Sequence, residues 1–425
     1  MEKRGWMAFI FICTCVLTGV TGCGKSEPEP VYPVIQAEQD YEKPKQVEVI
    51  PKEAMRNGIN SFAYHMYDKL GEQENVFFSP YSLCSALSLL DVGADSETKE
   101  ELEELLGIAD LDAWNGEMKG YLEKEWSDDT FVITANAIWM DENKEFAPNV
   151  QADFLQPAGY YYKCEVFKAD FRENPQDAIR EINNWTDKNT RGMIPQIVGA
   201  VPANTVMALL NAVYFEGKWE TPFKKESTFE DTFHGTDGDS RVEMMNQYRE
   251  DYAYVECGGI KGIALPYLGG NVVMKVFLPA EDGEDITALF SVLDIEEREK
   301  LLNSLDDVEK KEISRLALPK FSMEKSIDGI EEILQDMGVA AAFREDAGFD
   351  KIGTGLYVSR ILHKAKIEVD EEGTKAAAAT AALMNDSAAL MEEEFTEFIV
   401  DKPFVYVLQD AETGIILFMG RVNNL

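Results

Sequence analysis

The chain has only three histidines, His65, His234 and His363, and none stands in an H-E-x-x-H metal motif. It also lacks a G-x-S-x-G elbow, a Walker loop and a G-x-G-x-x-G fingerprint. Carboxylates are plentiful, but runs such as EELEELLG (100–107) have the pattern of a solvated helix face. These absences argue against an ordinary hydrolase, and no cofactor is implied. Cysteine is sparse too. Cys13 and Cys15 lie in an N-terminal apolar stretch, and beyond Cys23 only Cys84, Cys164 and Cys257 remain. Three scattered thiols exclude a disulfide framework and a close-spaced metal cluster. Cys84, in an apolar helical pattern, reads as a small buried side chain. Positive charge is short: 40 Lys and Arg stand against 78 Asp and Glu, a net charge of -38. That argues against nucleic acid or an anionic membrane surface as partner, and it would steer a cationic partner inwards. No repeat of 20–50 residues is present, which excludes a solenoid.

The N-terminus is of a different kind. Lys3 and Arg4 precede the apolar run GWMAFIFICTCVLTGV, which has the flanks and length of a signal segment rather than a stable membrane span. Val20-Thr21-Gly22-Cys23 then resembles a bacterial lipobox, in which Cys23 is lipidated and becomes the new N-terminus. Residues 24–51, rich in Pro and Glu, cannot bury a core and read as a solvated tether. The expected organisation is a signal peptide over 1–22, an anchor and tether over 23–51, and one folded domain over 52–425. That domain sits outside the cytoplasmic membrane, held to it only by acyl chains on Cys23.

Within the domain, Ile59, Phe62, Ala63, Met66 and Leu70 share one face of a helix over 52–70. Ser79 is a good N-cap and Pro80 a good first residue for a second helix, which Gly93 stops. A third spans 96–106 and ends at Gly107. The runs TFVITANAIWM (130–140) and NTVMALLNAVYF (204–215) suit central strands covered on both faces. A hairpin turns at Gly269-Gly270, RLALPKFSM (315–323) reads as one further strand, and His234 falls in a loop. The cleanest alternation is in LYVSRILHKAKIEVDEEG. Ile361, His363, Ala365, Ile367 and Val369 share one face, and Leu362, Lys364, Lys366, Glu368 and Asp370 the other. With helices concentrated early and strands late, the fold class is α+β with large antiparallel or mixed sheets.

EEGTKAAAATAALM (371–384) follows this strand. Its four consecutive alanines score as helix by propensity alone, and a linker is the plain alternative. Together, NVFFSPYSLCSALSLLDVGA, LLNAVYFEGKWETPF, ALPYLGGNVVMKVFLP, LYVSRILHKAKIEVDEEGTKAAAATAA and DKPFVYVLQDAETGIILFMGRV resemble the serpins, in family order, across essentially all of 52–425. The resemblance implies three β-sheets, eight or nine helices and an exposed reactive-centre loop at about 371–400. It implies a monomer that inhibits a target serine protease through a covalent acyl complex, after which the cut loop inserts as a new strand. The hinge would be Glu371, Glu372, Gly373, Thr374, Lys375, Ala376, Ala377, Ala378 and Ala379. Insertion requires small uncharged side chains at alternate positions, and Thr374, Ala376, Ala378, Thr380 and Ala382 satisfy this. Thr374 would enter first, and a Lys or Arg there would meet a desolvation penalty of several kcal/mol. Trp219, Lys320 and Glu371 match the family's insertion entrance. Ser79, Ser82, Asn211 and His363 match its polar cluster beneath the sheet centre.

The reactive bond is set by spacing. Seventeen residues counted from Glu371 give Ser387–Ala388, whereas counting back from Pro403 gives a position near Glu392; Met384, Leu390 and Met391 are alternatives. The hinge count is preferred because the inserted length is mechanically constrained. No Lys or Arg lies between Ala376 and Asp401, so trypsin-like proteases are poor targets, and elastase-, subtilisin- or chymotrypsin-like ones are favoured. A non-inhibitory serpin acting as a surface binding protein, and a cross-class inhibitor of cysteine proteases, are the competing readings.

Overall fold

Ser79 has extended backbone (φ -114°, ψ 103°), and its hydroxyl accepts the Ser82 amide, so the helix beginning at Pro80 starts with one of its orphan donors satisfied. The third helix ends as its glycine requires: Gly107 adopts φ +68° and its amide bonds back to Glu103 and Glu104. The computed structural model describes residues 52–71, 74–327, 329–374 and 396–425, all within one compact unit. Among the described residues are nine α-helices: α1 (Lys52–Lys69), α2 (Pro80–Gly93), α3 (Ser96–Leu106), α4 (Leu111–Leu122), α5 (Gln156–Tyr162), α6 (Pro175–Asn189), α7 (Ile286–Ser291), α8 (Ile295–Asp307) and α9 (Ile330–Asp336). The late helices α7 to α9 interleave with strands, so the separation of early helices from late strands is only partial.

Three sheets hold the strands. The seven-stranded sheet, antiparallel throughout, has the order β1 (Val76–Phe78), β17 (Ile416–Val422), β16 (Phe404–Asp410), β9 (Val272–Pro279), β8 (Ile260–Pro266), β7 (Glu250–Cys257), β10 (Lys310–Ile313). The four-stranded sheet has the order β15 (Glu397–Ile399), β11 (Arg315–Pro319), β6 (Gly238–Gln247), β5 (Thr228–Gly235). The six-stranded sheet has the order β12 (Phe321–Ser326), β13 (Val358–Val369), β14 (Gly373–Thr374), β4 (Met207–Lys218), β2 (Thr130–Asp141), β3 (Glu165–Ala169). Its pairings are mixed, with β13–β4 and β2–β3 parallel.

Along β13 the inward residues Ile361, His363, Ala365, Ile367 and Val369 are buried and their alternates partly exposed, as its alternation predicts. The main core lies beneath this sheet, where Leu209, Val213 and Phe215 of β4 join α1, α2 and the seven-stranded sheet. The outer face is covered by α6. Ile182 and Trp185 pack there with Trp139, Phe167 and Leu210, and Trp139 stacks on Phe167 at 4.3 Å. Full burial of such a side chain contributes about 1.5–3 kcal/mol, so β4 is held by apolar contacts on both faces.

Two expectations need correction. RLALPKFSM is not one strand but two, β11 and β12, in different sheets. Pro319 ends the first, and the Lys320 amide turns aside to the Glu243 carbonyl. His234 lies not in a loop but in β5, opposite Asp239 of β6.

Candidate functional site

Strands β13 and β4 run parallel and paired from Val358 and Met207 to Lys366 and Tyr214. Beyond that they part, and Gly373–Thr374 fills the gap. Thr374 is paired with Val369 on one side and Gly217 on the other. Thr374, the residue expected to enter first, is already between the strands and fully buried.

Local chemistry makes the wedge. The Asp370 carboxylate accepts the amides of Glu372 (2.9 Å) and Gly373 (3.2 Å), and the Asp370 amide donates to the Gly373 carbonyl at 2.8 Å, which reverses the chain. Gly373 has φ +152°, and a Cβ on it would lie 2.1 Å from the Gly217 carbonyl oxygen, so only glycine fits. Gly217 completes the cradle, since a Cβ there would meet the Phe215 and Tyr267 rings at 2.9 Å. Above the cradle the Tyr267 hydroxyl is 2.7 Å from the Thr374 hydroxyl. Burial pushes the Tyr267 phenol up.

The residues singled out for the entrance meet at this point. Lys320 Nζ is 2.9 Å from the Glu371 carboxylate and 3.6 Å from Glu243. Burial, the largest single effect, pushes the Glu371 carboxyl up, but hydrogen bonds from Lys320, the Glu371 backbone and Thr228 together with the Lys320 charge outweigh it, and the net shift is down. For Lys320 burial acts downward, Glu371 opposes it, and the net shift is up. Both partners are thus held charged. The Trp219 indole N–H donates to the Asp370 carbonyl at 3.0 Å, its backbone amide donates to Glu372, and the ring stacks on Tyr267 at 4.5 Å. Lys225 pairs with Glu372 at 3.0 Å.

A second cluster lies midway along the seam. His363 Nδ1 and Asn211 Oδ1 are 2.7 Å apart across β13 and β4. The Ser79 amide points at His363 Nε2 (3.4 Å), which makes Nε2 the acceptor and Nδ1 the donor. Asn211 donates to Ser82 Oγ (2.7 Å) and Asn136 Oδ1 (2.7 Å), Asn136 donates to Ser85 Oγ (3.1 Å), and Ser79 Oγ donates to the Leu417 carbonyl (2.6 Å). Burial pushes the His363 imidazole down to about 3, so it is neutral. The network can hold two strands together and exchange partners, but it offers no acid or base near neutral pH.

Sequence reasoning missed Asn136, Ser85, Asp370 and Tyr267. Asn136, a lone amide within the apolar run of β2, was a usable signal; nothing local marks Tyr267. Lys375, Ala376 to Ala379, Met384, Ser387, Ala388, Leu390, Met391 and Glu392 lie outside the described residues, as does Cys23. The chain is next described at Thr396, whose carbonyl accepts the Ser314 amide (2.8 Å) and hydroxyl (3.0 Å) before β15 pairs in parallel with β11.

The family model for serpins (serine protease inhibitors) matches residues 57–425. The chain belongs to the serpin family. An uncharacterized serpin-like protein of Thermococcus kodakarensis is 35% identical to this serpin over 375 residues, 87% of this chain and 85% of that protein. Leukocyte elastase inhibitor A of Mus musculus is 31% identical over 385 residues, 87% and 99% of the two chains. Among solved structures, the thermophilic serpin tengpin in its native state superposes with a TM-score of 0.81 at 30% identity, covering 93% of this serpin and all of tengpin. The three sheets and nine described helices are those of the serpin fold. Serpins are generally protease inhibitors rather than enzymes.

Proposed function

We propose that this serpin is a suicide inhibitor of extracellular serine proteases, elastase-, subtilisin- or chymotrypsin-like rather than trypsin-like. A protease attacks the loop at Ser387–Ala388 and forms an acyl-enzyme. The freed strand then inserts between β13 and β4, carrying the protease away before deacylation. The observation that carries this reading is the parted seam. Two strands paired over about two-thirds of their length are separated at one end by Gly373–Thr374, and the sequence runs on from there into Lys375 and the alanines. The uncleaved fold is a kinetic trap in which one strand of the sheet is still missing. Glu371–Lys320 and Trp219 hold the entrance, and the His363–Asn211 cluster closes the seam below it. The chain works as a monomer at the outer face of a bacterial membrane, anchored through Cys23.

The test mixes the purified domain with a pancreatic or neutrophil elastase and resolves the products on a denaturing gel. A denaturant-stable band of summed mass is expected; cleaved serpin beside fully active elastase rejects this class of target. Trypsin should give no such band.

A further inference from the structure

Tyr267 lies in the turn between β8 and β9, more than one hundred residues before the hinge in sequence, and is completely buried. Its ring is wedged between Trp219 (4.5 Å, nearly parallel) and Phe215 (4.9 Å, edge-on), so its hydroxyl has a fixed direction. The group it meets is the Thr374 hydroxyl at 2.7 Å, itself fully buried. A phenol locked by two aromatic neighbours and aimed at one hydroxyl is a receptor with a defined ligand. The cradle beneath has the same specificity. Gly217 leaves the space that the Tyr267 ring occupies, and Gly373 passes over the Gly217 carbonyl where no side chain fits.

We propose that Tyr267 is a positioning residue. It holds Thr374 inside the six-stranded sheet before any cleavage, and it thereby fixes the register in which the rest of the loop must enter. The purpose rests on the insertion reading above; the holding contact does not, since it exists in the uncleaved chain. Docking settles two things in advance. The turn at Asp370 and the first pairings of the new strand are already made, so strand addition begins from a formed nucleus rather than from two separated ends. Because side chains alternate, a slip of one residue would turn every inward alanine outward and Lys375 inward. Thr374 under Tyr267 blocks that slip.

The experiment is hydrogen exchange of the uncleaved full chain, read by mass spectrometry on peptides spanning 370–374, for wild type, Tyr267→Phe, Thr374→Val and the double variant. Loss of one buried hydroxyl–hydroxyl bond predicts exchange roughly tenfold faster at 373–374 in each single variant. The double variant should exceed neither single by more than about twofold, because both remove the same bond. Exchange over 404–422 serves as the control for general loosening and should not change. Unaltered exchange at 373–374 in both singles, or equal acceleration in the control peptide, overturns the proposal. A second arm compares complex with cleaved product after reaction with elastase. Tyr267→Phe should shift products towards cleaved serpin with the rate of elastase consumption of the loop unchanged, and an unshifted ratio overturns the register-setting role. If wild type itself traps no protease, the inhibitor reading fails while the exchange result still decides whether Tyr267 holds the hinge.

Discussion

Replacing Thr380 by Val probes the inserted state through residues that are described. The pairings at the entrance put Thr374 opposite Val369 and Gly217. Thr380 is six residues further on; six residues back from Val369 is His363, and six back from Gly217 is Asn211. Those two are already level with each other in the β13–β4 pairing. A strand entering in this register must break the 2.7 Å His363–Asn211 bond, leaving an Nδ1–H donor and an Oδ1 acceptor at side chains 1% and 0% exposed. A threonine hydroxyl between them accepts from one and donates to the other. Valine has the same shape and does neither. Each orphaned buried group costs about 1–3 kcal/mol, so cleaved Thr380→Val should lose roughly 2–6 kcal/mol relative to cleaved wild type, while the uncleaved protein is unaffected. At about 2 °C per kcal/mol for a chain of this size, scanning calorimetry should find the cleaved variant melting several degrees lower. Thr380→Ser, which keeps the hydroxyl, should recover most of the difference. A cleaved Thr380→Val that melts with wild type refutes the register, and with it the claim that the hydroxyl replaces the broken bond.

Three further outcomes follow from the site. His363 has a folded-state imidazole pKa pushed down to about 3, against about 6.5 when exposed, so the unfolded chain binds more protons between those values. Its contribution is full above pH 6.5 and falls as pH drops towards 3, by up to several kcal/mol; denaturant midpoints from pH 4 to 7 should fall more steeply with acid for wild type than for His363→Gln. Lys320→Met strips the partner from the buried Glu371 carboxylate and should cost about 1–3 kcal/mol of stability, with Lys320→Met/Glu371→Gln regaining part of it in a urea double-mutant cycle. Mass spectrometry of the fragment released by elastase should give residues 388–425, and Ser387→Arg should create trypsin-stable complex; release of a fragment starting beyond Glu392 would reject the hinge count.

What could be read from sequence was what is local. Ser79-Pro80 fixes the start of α2 because the cap and the Ser82 amide that donates to it are three residues apart, and Gly107 ends α3 within one turn. The alternation of β13 predicted its burial because a strand under one cover has period two. RLALPKFSM, by contrast, carries no mark of its break, since what divides it is the Glu243 carbonyl on another strand that takes the Lys320 amide. Helix α8 was legible and overlooked. Asp294 and Glu297 form a reciprocal capping box before an apolar stripe of Leu301, Leu302 and Leu305. Tyr267 was illegible for the opposite reason: its meaning lies wholly in Thr374, Trp219 and Phe215, and no short-range pattern joins them.

Under the proposed insertion, the alanine run answers to a different constraint, a slot rather than a local conformation. If the proposed insertion continues the register set at the entrance, Ala376 would come level with Ile367 and Phe215, Ala378 with Ala365 and Val213, and Ala382 with Ile361 and Leu209, all six of them buried and apolar. Of the two inward threonines, Thr374 lies at Tyr267, and Thr380 would meet His363 and Asn211, so both fall where the slot is polar. Lys375, the one cation between Thr374 and Asp401, would then fall on the outer face level with Glu368 and Glu216, two carboxylates on the strands it would join. Helix propensity explains none of these coincidences. A strand that must displace a His–Asn bond, pass beneath a core already filled by Phe215 and Ile367, and leave its charge outside has to be written with small residues, hydroxyls at two levels and one lysine at the mouth. The sequence from Gly373 to Ala382 has that composition in that order.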